Sequence, residues 1–114
     1  MNNYVKPGVI LYNYARDRCY LVLERTIELP GVWRCIFRDD SGRFRIYYIS
    51  EEELRLTDDR IWKTLSGFAL TDTQLNSIIR GGQIGYETLK KTFDLAGYVS
   101  MKMKYGNEMK ENTR

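Results

Sequence analysis

Up to Ile49 the apolar positions of the chain come in short, partly alternating runs broken by turn-forming residues. Beyond Ser50 they recur at three- and four-residue spacing. The first half therefore predicts strands and the second predicts helices. Pro7-Gly8 opens a strand over Val9–Tyr14. A second strand, Cys19–Thr26, follows the turn Ala15-Arg16-Asp17-Arg18. Pairing Tyr14 with Cys19, Tyr12 with Leu21 and Ile10 with Leu23 gathers an apolar set on one side, which is what selects a register. Glu28-Leu29-Pro30-Gly31 makes the next turn. Strands over Val32–Arg38 and Arg43–Ile49 come after it, joined by the loop Asp39-Asp40-Ser41-Gly42.

This second hairpin acquires two unlike faces when Phe37 is set opposite Phe44. The same register sets Cys35 by Ile46 and Trp33 by Tyr48 on a core face. The opposite face then carries Arg34 by Tyr47, Ile36 by Arg45 and Arg38 by Arg43. A slip of one residue would bring arginines against phenylalanines, which favours the register as stated.

The helical part begins at Ser50-Glu51-Glu52-Glu53, which has the spacing of a capping box. Thr57-Asp58-Asp59 reads as a second helix start, with Ile61, Trp62, Leu65 and Phe68 on one face of a helix that ends near Phe68. Thr71-Asp72-Thr73-Gln74 is a third start and again a capping box. Its helix has Leu75, Ile78 and Ile79 on the apolar side and ends at Gly81-Gly82. A last helix spans about Tyr86–Ala96 and stops at Gly97. Val99, Met101, Met103 and Tyr105 then alternate with Ser100, Lys102 and Lys104, which predicts a fifth strand over 98–105.

These elements predict an α+β fold: a small antiparallel sheet or partly closed barrel of about five strands, with a three- to four-helix insert before the last strand. The arrangement resembles an SH3-like barrel at the level of architecture alone, and many unrelated functions share that architecture. Residues 1–106 read as a single domain and 107–114 as a frayed polar tail. With 114 residues, 43% of them apolar, the chain can build a core without staples. Cys19 and Cys35 fall on core faces of predicted strands and read as buried free thiols. No basic segment leads into an apolar run at the N-terminus, and no stretch is long and apolar enough to span a membrane. The expectation is a soluble, cytoplasmic protein without membrane contact.

Charge adds a direction. Residues 1–50 carry eight basic and five acidic side chains, residues 51–97 six and eight, and residues 98–114 four and two. The basic excess lies at the two ends, and its densest part is the second hairpin. Arg34, Arg38, Arg43 and Arg45 with Tyr47 would form a patch that grips phosphates or anchors a protein interface. Lys102 and Lys104 of the basic C-terminal segment would extend it. The bland alternative is a solvated sheet face on which arginine stems cover Ile36 and Tyr47.

Catalytic chemistry is poorly represented. The chain has no histidine, which removes the commonest general base and metal ligand. Glu51, Glu52, Glu53, Asp58 and Asp59 cluster, but at helix starts capping accounts for acids. Gly81-Gly82-Gln83-Ile84-Gly85 follows a helix and lacks the Gly-Lys-Ser/Thr ending of a phosphate loop, so it reads as a connector. Leu75–Phe93 fits a helix-turn-helix only loosely. The expectation is a non-enzymatic regulatory or inhibitory protein with no catalytic residues, no cofactor and no metal. It would act by binding another protein through the Arg/Tyr hairpin face, as a phage or mobile-element protein that blocks a host enzyme does. The alternative is an accessory domain that binds DNA or RNA with the same face.

Overall fold

The computed structural model describes residues 5–56 and 61–112. Their elements are β1 (Val9–Asn13), β2 (Arg18–Arg25), β3 (Val32–Arg38), β4 (Phe44–Ser50), α1 (Glu51–Leu56), β5 (Trp62–Ala69), α2 (Asp72–Arg80) and α3 (Gly82–Asn112). The α+β class holds, with one five-stranded antiparallel sheet in the order β4-β3-β2-β1-β5. The sheet is open and does not close into the expected barrel. Among the described residues a single helix, α1, precedes the last strand in place of the expected three- to four-helix insert, and α2 and α3 follow that strand.

Two elements are reassigned. Residues 61–68, expected as a helix, lie mostly in β5, which pairs antiparallel with β1. The second helix start at Thr57-Asp58-Asp59 lies outside the described residues. Residues 98–105, expected as a strand, lie inside α3, which runs on through Gly97.

The first reassignment follows from the burial of the central strands on both faces. All of β1 is buried. Val9 and Leu11 join Tyr20, Val22, Trp33, Cys35, Ile49, Leu54 and Trp62 in a core beneath α1. Ile10 and Tyr12 join Leu21, Leu23, Leu65, Leu75, Leu89, Phe93 and Ala96 in a second core beneath α2 and α3. A strand buried on both sides does not alternate, so its periodicity cannot be told from that of a helix. In β5, Trp62 enters the first core and Leu65 the second. In α3 the stripe through Leu89, Phe93, Ala96, Ser100 and Met103 continues at helical spacing. Ser100 is buried while Met101 is exposed, the reverse of what the alternating reading required.

The helix starts at Ser50 and Thr71 behave as expected, whereas the last helix begins at Gly82 and not near Tyr86. Ser50 Oγ accepts from the Glu53 amide at 2.9 Å. Thr71 and Gln74 form a complete capping box at the start of α2. The two long helices meet at Gly81, whose φ of 86° is costly for any other residue. They then pack so closely that a Cβ on Gly85 would lie 2.3 Å from the Ser77 carbonyl oxygen.

Both hairpin registers differ from expectation. In β1–β2 the pairs are Ile10 with Leu21 and Tyr12 with Cys19. That is a shift of two residues, so every side chain keeps its face. The turn closes earlier because Asn13 Oδ1 accepts from the Arg16 amide and Asp17 takes a φ of 52°. In β3–β4 the pairs are Trp33 with Ile49, Cys35 with Tyr47, Phe37 with Arg45 and Arg38 with Phe44. That is a slip of one residue, and it turns β4 over.

Gly85 and Gly97 provide a paired test of the packing. Gly85→Ala is expected to lower unfolding stability by ~1–3 kcal/mol through overpacking against α2. Gly97→Ala, with open space around its Cβ position, is expected to raise it by ~0.5–1 kcal/mol through helix propensity. Urea unfolding followed by circular dichroism measures both.

Candidate functional site

The slip in β3–β4 begins at Asp39. Its amide donates to the Arg43 carbonyl at 2.8 Å, which continues the register just beyond the last ladder pair, Arg38 with Phe44. The loop is therefore Asp40-Ser41-Gly42, with Gly42 at a φ of 90°, and not the four residues expected. The Asp39 carboxylate holds the loop together. Its Oδ1 accepts from the Ser41 amide, the Ser41 hydroxyl and the Arg43 amide, and its Oδ2 accepts from Arg45 Nε. The Arg45 guanidinium, then the Ser41 and Arg43 donors, hold this carboxyl well below the usual carboxylate range.

The turn scatters the expected arginine face. Arg34 and Arg38 lie on the α3 side of the sheet. Arg45 and Tyr47 lie on the α1 side, and Arg43 stands exposed at the loop. The expected patch of all five on one face is not formed. Three of the arginines are also spent on the protein's own acids. Arg34 pairs across the strands with Glu24, Arg38 reaches Asp94 of α3 at 2.9 Å, and Arg45 pairs with Asp39. Tyr47 packs among Tyr20 and Phe37, with the Arg16 guanidinium 5.3 Å over its ring. Lys102 and Lys104 sit on α3 and not on a fifth strand. Lys102 lies 5.3 Å from the Tyr98 ring, and Lys104 lies 3.7 Å from Asp17.

Turning β4 over places other residues in water. Phe44, Ile46 and Tyr48 now point to the α3 side. Phe44 is covered by Tyr86 and Phe93, whereas Ile46 is 45% and Tyr48 53% exposed. Among the described residues β4 pairs with β3 alone, so its other side is an open sheet edge. The ladder bonds Asp39 N to Arg43 O and Glu51 N to Gly31 O fix which groups face outward. Residues opposite one another in an antiparallel pair alternate between bonded and non-bonded pairs. Odd-numbered β4 residues therefore bond β3, and Phe44, Ile46, Tyr48 and Ser50 direct their backbone groups to the open edge. The alternation of apolar positions over Val32–Ile49 does not mark this edge. The signal was present in the Asp-Asp-Ser-Gly loop, whose glycine suits a three-residue turn.

A cleft of about 530 Å³ opens between the β1–β2 turn and α3, lined by Tyr12, Asp17, Cys19, Arg38, Ser100 and Lys104 among others. The Tyr12 hydroxyl donates to Asp17. Burial pushes the Cys19 thiol up to about 11, and that of Cys35 in the opposite core up to about 12. Both thiols are protonated at neutral pH, so neither is an activated nucleophile. They lie on opposite faces of the sheet and are unbridged. Of the clustered carboxylates, Glu51 accepts from Trp33 Nε1 and pairs with Arg25, while Glu53 lies 3.7 Å from Arg16. Asp58 and Asp59 lie outside the described residues. Among the described residues no three metal-ligating side chains cluster, and no helix is long and apolar enough to cross a membrane.

Comparison with protein-family models, with curated proteins and with solved structures returned no match to this chain.

The Asp39 turn makes a pH-dependent prediction. Its folded carboxyl titrates below the unfolded value of ~3.9. The stabilisation is therefore complete above that value and is lost as pH falls through the folded value. Asp39→Ala is expected to lower the Tm at neutral pH, with the deficit shrinking steadily below about pH 4. Thermal melts of both proteins across that range provide the measurement.

Proposed function

We propose that this chain is a small non-enzymatic regulatory protein that acts by binding another protein, and that it does so along the open edge of β4. One observation carries the reading: a strand edge unpaired among the described residues, whose two central residues, Ile46 and Tyr48, are about half exposed. Backbone groups along such an edge accept a further strand, and the flanking side chains give selectivity. Tyr and Arg are frequent interface anchors, and here Tyr48 stands between Arg43 and Arg45 on one side and α1 on the other. An edge with these properties suits a partner that offers an extended, partly apolar segment.

Charge around the two hairpins favours protein over nucleic acid. Binding to a phosphate backbone needs uncommitted cations arranged along a track. Arg16, Arg18, Arg25, Arg34, Arg38, Arg45 and Lys104 each have an acidic partner within ion-pair distance. Arg43 stands apart from them, exposed at the loop.

A photo-crosslinking residue at position 48, introduced in the cells that naturally make the protein, tests this reading. The expected result is a nuclease-resistant adduct with a different protein, absent when the same residue is placed at Thr73 on the exposed side of α2. Capture of DNA or RNA in place of protein, or equal capture from both positions, would overturn it.

A further inference from the structure

We infer that the open edge of β4 pairs with the β4 edge of a second copy, antiparallel and about a two-fold axis through Tyr47. The inference rests on the reading of β4 as a docking edge and names an occupant that competes there with any foreign partner.

The register argues for it. Only even-numbered residues of β4 direct backbone groups outward, so a self-pairing must set even residues against even ones. The axis through Tyr47 does this over the whole strand. Phe44 meets Ser50 of the second copy, and Ile46 meets Tyr48. Each Ile46–Tyr48 pair exchanges both of its backbone hydrogen bonds. The same pairs bring together the apolar side chains left in water by the folded chain. An aromatic residue opposite a β-branched one is among the favourable cross-strand pairs.

Charge agrees with this register. On the other face Arg45 falls opposite Ile49, and Arg43, just beyond the strand, falls opposite Glu51. Arg43 is exposed, and Glu51 has acceptor room beyond its contacts with Trp33 and Arg25. No like charges oppose one another. The two sheet edges also differ in their protection. β5 carries an exposed Lys63, and its pairing with β1 is broken by a bulge, both of which discourage edge pairing. β4 has neither a lysine nor a proline, and its pairing with β3 is regular.

The closest approach across the axis is at Tyr47, a non-hydrogen-bonded pair with Cα atoms ~4.5 Å apart. That separation lies within the range a disulfide spans. Mild oxidation of Tyr47→Cys is therefore expected to give a covalent dimer. Tyr48→Cys and wild type, which retain the native Cys19 and Cys35, should stay largely uncrosslinked. Sedimentation of the wild type should show a concentration-dependent dimer, weakened at least tenfold by Ile46→Lys, an exposed change that leaves the fold intact by circular dichroism. A wild type that remains monomeric at ~1 mM, a dimer indifferent to Ile46→Lys, or crosslinking at 48 in preference to 47 would each overturn the inference. A foreign-protein adduct from position 48 in a chain that sediments as a monomer would leave the partner reading standing and remove this one. A dimer without any foreign adduct would do the reverse.

Discussion

The burial of β1 and β2 on both faces is the constraint from which the rest of this fold follows. A strand with apolar residues at every position needs a strand on each side and a layer above and below. Those demands recruit β5 to the free side of β1, α1 to one face, and α2 with α3 to the other. They also set the close approach of the long helices at Gly85, because both must fit over one small sheet. Removing any one of these layers would expose side chains that are now wholly buried, among them Ile10, Leu11, Leu21 and Val22.

Charge is used in this fold mainly as internal mortar. The Arg38–Asp94 pair ties β3 to α3, Arg16 bridges toward α1 through Glu53, and Lys104 returns α3 to the first turn through Asp17. Exposed pairs of this kind contribute little individually, typically under ~1 kcal/mol. Their larger consequence is for recognition. A basic side chain held by an acid of its own chain is a poorer ligand for phosphate than one left in water.

The backbone, by contrast, leaves one side of the sheet open among the described residues. A sheet that ends in a regular strand bearing half-exposed Ile46 and Tyr48 presents hydrogen-bonding groups and apolar surface together. The opposite edge is blunted by a bulge and a lysine. That asymmetry leaves the two sheet edges unlike. Both proposals made for the β4 edge, a foreign protein or a second copy, invoke the same chemistry: strand addition beside Ile46 and Tyr48.

Local rules were legible in the chain. The first four strands, the Ser50 and Thr71 helix starts, the Gly81 break and the burial of Cys35 all follow from short-range chemistry written in adjacent residues. Three things were not. Most of 61–68 became a strand because β1 lacked a neighbour, and residues 98–105 became helix because the stripe begun at Leu89 had a core waiting for it. The arginines divided between faces because one carboxylate, Asp39, gathered two amides, a hydroxyl and a guanidinium and shortened a loop by one residue. Sequence determines which segments want to be buried and where the chain can turn. Only the assembled sheet decides which face a residue occupies, since the period of a strand is two and a shift of one reverses it.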